Sequence, residues 1–305
     1  MVLNLQQNPH SAPTTAPVIA FTTPKNYASR LSDVIRLKGW TPLWCPTLSV
    51  DTTPHTTSSI QHYFLSLDPP LRHFSAVAFT SRTGITAFSE ALSAIAAAPP
   101  FGPDGDLFTL SALGKDSELL TESFVAKLCV NPARVRVLVP PIATPSGLVE
   151  ALGLGLGRKV LCPVPLVIGL KEPPVVPEFL AGLARRGWVP VRVNAYETRW
   201  RGGGVAGLVA GMMEEHCGVD AIVFTSTAEV EGLLKSLEEL GLDWGMVRRM
   251  CPRLVAAAHG PVTAVGAEQL GVEIDVVSSK FHSFYGVVDA LDCWWKSFHC
   301  STSPS

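Results

Sequence analysis

The fold class follows from one stretch of the chain, residues 219–272. Its first half begins Val219-Asp220-Ala221-Ile222-Val223-Phe224-Thr225-Ser226-Thr227, and its second half begins Leu254-Val255-Ala256-Ala257-Ala258-His259-Gly260-Pro261-Val262-Thr263-Ala264. Each half is a continuous apolar run, which is typical of a strand that is covered on both faces in a parallel sheet. Each run ends in hydroxyl residues or Gly-Pro, which favour the start of a helix. The stretch therefore predicts two strand–helix units of an α/β protein.

Three motifs of the chain occur twice at nearly the same spacing. Phe79-Thr80-Ser81 recurs about 145 residues later as Phe224-Thr225-Ser226, and Gly114 corresponds to Gly260. Gly39-Trp40-x-Pro42 likewise recurs as Gly187-Trp188-x-Pro190. The agreement of the three spacings indicates two related α/β halves, although chance similarity of short motifs stays open as an alternative.

The Gly-Trp-x-Pro segments also predict how the two halves are connected. Each segment enters an extended stretch, and pairing of these stretches would let the chain leave one domain, complete a second and return. The prediction is a fold of two doubly wound parallel-sheet domains joined by a two-stranded linker, bilobal with an interdomain cleft. The expected bounds are 17–50 plus 199–292 for domain 1, 51–190 for domain 2, about 41–50 and 189–198 for the linker strands, and 1–16 and 296–305 for flexible tails.

Composition excludes several classes of protein. The 305 residues are 47% hydrophobic and 16% charged, which is enough to form two cores and excludes disorder over most of the chain. A net charge of −2 without a long basic stripe gives no support to nucleic-acid binding. No run reaches the roughly 18 apolar residues of a membrane span. The first sixteen residues lack Arg and Lys, so we expect a cytoplasmic protein, or a plastid protein if a transit peptide is absent from this chain.

The cysteines and glycines of the chain carry no metal or nucleotide motif. Seven cysteines are scattered without a C-x-x-C pair, which favours reduced thiols and no metal site. Gly153-Leu154-Gly155-Leu156-Gly157 lacks the glycine spacing of a dinucleotide fingerprint and is interpreted as a loop. No nucleophilic triad or phosphate loop is recognisable either.

Hydroxyl groups and helix starts recur at the predicted strand ends. Each one alone is more typical of a helix cap, and each neighbouring cation alone is more typical of a solvated surface. Together they suit an anionic ligand with many carboxylates in a cleft between two domains, because helix N-termini offer free N–H groups. The candidate binding residues are Thr22, Lys25, Thr80, Ser81, Arg82, Gly114, Lys115, Ser146, Thr225, Ser226, Thr227, Gly260, Pro261 and Thr263.

Tyr196 is the candidate catalytic acid. It lies in Val193-Asn194-Ala195-Tyr196-Glu197-Thr198, at the predicted return crossing between the domains. A phenol at this place is able to protonate a leaving group. A purely structural tyrosine at a domain junction is the alternative.

The combination of these motifs resembles the uroporphyrinogen-III synthase family. The resemblance rests on Asp220-x-Ile222-Val223-Phe224-Thr225-Ser226, on the segment 257–264, on Tyr196-x-Thr198 and on Phe79-Thr80-Ser81, and it covers about residues 17 to 292. It implies two α/β domains joined by a two-stranded linker, with a discontinuous first domain. It also implies the cyclisation of hydroxymethylbilane, a linear polycarboxylated tetrapyrrole, with loss of water and inversion of the terminal pyrrole ring.

The resemblance also implies roles for individual residues. Tyr196 would assist departure of the substrate's hydroxyl, and Thr225, Ser226, Gly260 and Thr263 would hold carboxylates, with Thr80 and Ser81 contributing from the other domain. No metal or cofactor is implied. A monomer is expected, with handover of substrate from the preceding enzyme of the pathway. The alternative is a non-catalytic module on the same scaffold that binds a tetrapyrrole or another anion.

Overall fold

The structure, a computed structural model, describes residues 16–65, 70–95, 98–213, 218–280 and 283–300, without the side chains of 298–300. The predicted tails 1–16 and 296–305 lie largely outside these residues. The strands are β1 Val18–Phe21, β2 Thr41–Trp44, β3 Leu48–Asp51, β4 Ala76–Ala78, β5 Phe108–Ser111, β6 Val135–Leu138, β7 Lys159–Ile168, β8 Val189–Trp200, β9 Ala221–Phe224, β10 Val255–Ala258 and β11 Val276–Val277. The α-helices are α1 Lys25–Leu37, α2 Pro54–Leu65, α3 Arg82–Ser93, α4 Glu122–Leu128, α5 Pro145–Leu152, α6 Val175–Arg185, α7 Ala206–Met212, α8 Thr227–Glu239, α9 Trp244–Met250, α10 Pro261–Gln269 and α11 Phe284–Cys300.

The chain forms two compact units. The first comprises Met1–Leu48 and Arg201–Ser305, and the second comprises Ser49–Trp200. Each unit contains one parallel sheet with helices, so the predicted doubly wound α/β fold class is confirmed. The domain bounds given above stay a prediction, which limited proteolysis tests.

The first unit has a five-stranded sheet in the order β11-β10-β9-β1-β2. Alternate residues of β1 enter different cores: Ile19 and Phe21 pack with α1 and α11, whereas Ala20 packs with α7, α8 and α9. The chain builds the sheet outward from β1 and β9 in opposite directions, so the topological switch point lies between these two strands. Ligands of open α/β sheets bind at such a point.

The second unit has a six-stranded sheet in the order β3-β8-β7-β4-β5-β6. Val77 of β4 packs in one core with α2, α3 and α4, and its neighbours Ala76 and Ala78 pack in another with α5 and α6. Here the switch point lies between β4 and β7, because β5 and β6 extend the sheet to one side and β8 to the other.

Strand β7 is longer than the sequence indicates. Pro163 and Pro165 predict that the strand ends at Cys162, but the strand continues to Ile168, so this prediction is wrong. On one side of β7, β4 pairs only with Val160 and Leu161, so both prolines lie beyond the end of β4. At the prolines, β7 pairs with β8 on its other side. Proline is tolerated there because a strand edge without a partner needs no N–H donor.

The extended stretch expected at 41–50 divides into two strands. β2 pairs with β1 of the first unit, and β3 lies beside β8 in the sheet of the second unit. Cys45, Pro46 and Thr47 separate the two strands. The chain therefore passes from one sheet to the other within three residues.

The cysteines depart in one place from the expected reduced state. Cys251 is disulfide-bonded, so the expectation of reduced thiols is wrong for this residue. Cys45, Cys129 and Cys162 are buried free thiols, and burial raises the pKa of Cys45 to about 11. None of the helices that the structure describes has the length and apolar character needed to cross a membrane.

Candidate functional site

Ser81 and Tyr196 meet at the switch point of the second unit. Ser81 follows β4 and is the N-cap of α3, where its Oγ accepts a hydrogen bond from the amide of Gly84 at 3.1 Å. The same Oγ lies 2.9 Å from the phenol oxygen of Tyr196. The two residues belong to separate sequence motifs, and the fold joins them by a hydrogen bond.

A β-bulge brings Tyr196 to this position. Val164 of β7 pairs with Asn194, but the next residue, Pro165, pairs with Tyr196, so Ala195 is an extra residue in β8. A bulge bends the strand and changes the direction of the side chains that follow it. Tyr196 is 7% exposed, which is low enough to hold its ring in one place.

The neighbouring strand end of the second unit adds charged groups. Arg82, the first residue of α3, lies 3.8 Å from the carboxylate of Asp116 in the 3₁₀ turn Gly114–Leu119. Burial raises the pKa of Asp116, and the nearby guanidinium opposes this effect. Lys115 is exposed, and Gly114 has a φ of +47°, which favours glycine. Arg82 is therefore partly neutralised, whereas the Lys115 ammonium stays in solvent.

Two further candidates of the second unit have different surroundings. Thr80 is half-buried between β4 and the Ser81 cap. Ser146 lies on α5 behind β6, two strands from β4, with its Oγ 3.1 Å from Oγ1 of Thr144. Ser146 also lines a cavity of about 800 Å³ between α5 and α6. The hydrogen-bond partner of Ser146 among the described residues is thus Thr144 of its own helix start, and its part in the site stays a prediction.

The corresponding strand end of the first unit is organised by a residue that the sequence analysis missed, Glu229. Its carboxyl is 1% exposed and accepts hydrogen bonds from Oγ1 of Thr22 at 2.9 Å and from the amide of Thr225 at 3.0 Å. Oγ1 of Thr225 and Oγ of Ser226, at 3.3 Å, complete its surroundings. Glu229 thus gathers three of the predicted binding residues around one carboxyl group.

The other candidates of the first unit lie around the starts of three helices. Gly260 is the N-cap of α10, Pro261 is its first residue, and Thr263 donates from Oγ1 to the carbonyl of Thr225 at 3.3 Å. Thr227 begins α8, and the exposed Lys25 begins α1. Thr22 and Thr263 are both buried, and their hydroxyls are directed to protein groups. Thr225, Ser226 and Thr227 are half-buried and lie nearer to solvent.

Signals for the missed residues were present in the sequence. Ser226-x-x-Glu229 matches the capping-box pattern, in which a glutamate returns to the start of its own helix. Trp44, at the end of β2, is 43% exposed and its indole N–H donates to the carbonyl of Thr23 at 2.8 Å. An exposed tryptophan fixed in this way lies at the same sheet edge as Thr22, and only the strand register reveals this.

Metal ligands are not clustered in the part of the chain that the structure describes. No group of three or more His, Cys, Asp or Glu side chains among these residues is arranged to hold a metal ion. The polar groups at the two switch points are instead hydroxyls, backbone amides, a phenol and a carboxyl.

The fold and these strand ends define an α/β protein of the class that binds small molecules at the carboxyl ends of parallel strands. The family model described as uroporphyrinogen-III synthase HemD matches residues 29–284. The chain therefore belongs to the uroporphyrinogen-III synthase family. It acts in tetrapyrrole biosynthesis as a lyase with a small-molecule tetrapyrrole substrate.

Solved structures of uroporphyrinogen III synthase from the extremely thermophilic bacterium Thermus thermophilus resemble the chain. A mutant form is 17% identical over 92% of this chain and 100% of that chain, with a TM-score of 0.59, which shows a common fold. The wild-type form in a second crystal is also 17% identical, over 94% of this chain and 100% of that chain, with a TM-score of 0.44. A comparison with curated protein sequences finds no significant match.

Proposed function

We propose that this uroporphyrinogen-III synthase cyclises hydroxymethylbilane and that Tyr196 is its general acid. The observation that carries the assignment of the acid is the 2.9 Å contact between the Tyr196 phenol and Ser81 at a switch point. Ser81 is itself fixed by the amide of Gly84, so the phenol is held by a partner that is tied to the backbone. A group held in this way transfers a proton without first having to be oriented.

The reaction requires little further machinery. The Tyr196 phenol gives its proton to the substrate's hydroxyl, which leaves as water while the electron pair of the adjacent pyrrole nitrogen replaces the breaking carbon–oxygen bond. The resulting cation attacks the terminal ring at the carbon that already carries the bridging methylene, and the bond from that carbon to the methylene then breaks, which leaves the positive charge on the methylene and the neighbouring pyrrole. The free ring carbon on the other side of the terminal pyrrole nitrogen closes onto this methylene, so the ring is inverted in the product. That free carbon loses its proton on closure, and this proton balances the one that the phenol supplied.

We propose that the substrate's carboxylates bind at helix N-termini. Ser81, Ser226 and Gly260 are the N-caps of α3, α8 and α10, whose first amides and positive dipole ends favour anions. Lys25 and Lys115 are exposed cations at the same strand ends. Thr80, Thr225 and Thr227 are half-buried hydroxyls beside these helix starts and are candidates for direct contacts.

Product analysis after incubation with freshly made hydroxymethylbilane tests this proposal. We expect an excess of the type III isomer over the spontaneous type I product, and a kcat about 10²-fold lower for Tyr196→Phe. Tyr63→Phe is a matched control, because Tyr63 is a half-buried tyrosine of the same unit whose ring packs on Phe74. Wild-type activity in the Tyr196→Phe variant would contradict the role of Tyr196.

The alternative of a non-catalytic tetrapyrrole-binding module gives a different result in the same experiment. Such a module forms only the type I product at the uncatalysed rate, and it binds uroporphyrin without turning over hydroxymethylbilane. We also propose a monomer, because the sequence shows no exposed heptad repeat or long apolar edge, and light scattering during size-exclusion chromatography checks this.

A further inference from the structure

The hydroxyl groups at the β1/β9 switch point face both the Glu229 carboxyl and a possible ligand, and each hydroxyl can donate to only one of them. A substrate carboxylate needs hydrogen-bond donors, and each hydroxyl has a single proton to give. Thr22, Thr225 and Ser226 all contact the Glu229 carboxyl. If that carboxyl is ionised, it accepts from all three hydroxyls, and none of their protons is left for a ligand.

The two carboxyl oxygens of Glu229 have different neighbours. Oε2 faces the amide of Thr225, which can only donate, at 3.0 Å, and the hydroxyl of Thr22 at 2.9 Å. Oε1 faces only hydroxyls, those of Thr225 and Ser226. The Thr225 amide requires Oε2 to accept, whereas both neighbours of Oε1 are hydroxyls that can accept, so we place the proton of the carboxyl on Oε1.

The surroundings of the two hydroxyls select the acceptor of that proton. Oγ of Ser226 already receives the backbone amide of Glu229 at 3.4 Å and lies 3.3 Å from Oε1. Thr225 Oγ1 is the other neighbour of Oε1, and Thr225 is held on both sides, through its amide and through its carbonyl, which accepts from Thr263. A proton on Oε1 is therefore directed at Thr225 Oγ1, which releases the threonine's own proton.

We propose that Glu229 is a positioning residue that stays neutral in the folded protein and donates to Thr225, so that the Thr225 hydroxyl donates to a carboxylate of the substrate. This inference rests on the proposed function. Thr225 is half-buried, whereas Glu229 is 1% exposed, so the threonine is the member of the pair that a ligand reaches. A neutral Glu229 also removes the repulsion that a carboxylate at this place exerts on an anionic substrate.

Burial supports the neutral state. Desolvation raises the pKa of Glu229 above its ordinary value of 4.5, and the hydrogen bonds from Thr225, Thr22 and Ser226 oppose this only in part. The titratable groups on the adjoining elements include Lys25 and Arg30 of α1, Glu231 and Lys235 of α8, and His259 after β10. The hydrogen bonds to the carboxyl come from none of these but from hydroxyls and one amide.

Two measurements without substrate test the protonation state. Infrared spectroscopy at neutral pH should show the C=O stretch of a neutral carboxylic acid in the wild type, and Glu229→Gln should lack it. Because the folded carboxyl keeps its proton while the unfolded one loses it above pH 4.5, the unfolding free energy of the wild type should fall relative to Glu229→Gln as pH rises. Absence of the acid band at neutral pH overturns the inference.

Steady-state kinetics with freshly made hydroxymethylbilane test the role of the released proton. Thr225→Val should raise KM about tenfold while kcat changes little, since a hydrogen bond to a charged group is lost. Thr225→Ser, which keeps the hydroxyl, should restore most of the affinity. The KM of the wild type should rise over the same pH range in which the infrared band of the neutral acid disappears. The KM of Glu229→Gln should not rise over that range. An unchanged KM in Thr225→Val overturns the inference while type III product still upholds the proposed function.

Discussion

The two Phe-Thr-Ser strand ends share one backbone frame and differ in chemistry. Ser81 and Ser226 are both N-caps and both accept from the amide three residues later, which belongs to Gly84 in one unit and to Glu229 in the other. Gly84 has no side chain, and there Ser81 bonds to the phenol of Tyr196. The Glu229 side chain instead returns to Ser226 and fills the corresponding place with a carboxyl. The residue three positions after the serine, Gly84 or Glu229, is therefore what distinguishes the two strand ends. One strand end carries the phenol of Tyr196, and the other carries a buried carboxyl.

The largest effect is expected when the carboxyl of the first unit is removed. Glu229→Leu leaves the buried hydroxyl of Thr22 and the backbone amide of Thr225 without their acceptor, because leucine fills the space but accepts no hydrogen bond. We expect the unfolding free energy to fall by about 3 kcal/mol, as measured by urea unfolding.

Two variants make this measurement specific. Glu239→Leu is the same substitution at an exposed position of α8 and should change the unfolding free energy by less than about 0.5 kcal/mol. Tyr196→Phe removes the partner group of the second unit but leaves Ser81 its bond to Gly84, so we expect a loss below about 1 kcal/mol. Equal losses for Glu229→Leu and Tyr196→Phe would show that the two edges do not differ as described.

Local sequence patterns predicted the strands, caps and helices that the two units share, but not the side-chain contacts by which their strand ends differ. The apolar runs, the Ser caps and the glycines after helices are readable because neighbours in sequence determine them; Gly39 and Gly187 both have a φ of +77°. The Ser81–Tyr196 bond depends on a bulge opposite Pro165. The burial of Glu229 depends on the pairing of β1 with β9, two strands about 200 residues apart. Such contacts follow from the register of distant strands, which no local pattern specifies.

A side chain at position 84 should disturb the edge of the second unit. The Cβ of an alanine at Gly84 would lie 3.1 Å from the carbonyl oxygen of Pro163 and 3.3 Å from Oγ of Ser81, so both neighbours have to shift. We expect Gly84→Ala to lower the unfolding free energy by about 1–2 kcal/mol and kcat about tenfold, because the phenol loses its fixed partner.

Gly102→Ala is the matched control for this change. Its Cβ would meet nothing within 4 Å, and Gly102 lies in the same unit. Both kcat and stability should stay close to wild type there. A Gly84→Ala variant with wild-type kcat would mean that the position of Ser81 does not matter for the reaction.

Smaller effects on stability than that of Glu229→Leu, about 1 kcal/mol each, are expected from removing the two caps. Ser81→Ala and Ser226→Ala each take away the acceptor of one amide, so their unfolding free energies should fall by similar amounts.

Their kinetics should differ, because Ser81 contacts the proposed acid and Ser226 belongs to the proposed carboxylate site. We expect Ser81→Ala to lower kcat and Ser226→Ala to raise KM, each measured by the rate of type III product formation. Ser81→Thr, which keeps a hydroxyl at the cap, should recover both stability and kcat. If both alanine variants changed the same kinetic parameter, the proposal that the Ser81 strand end serves catalysis and the Ser226 strand end serves binding would be wrong.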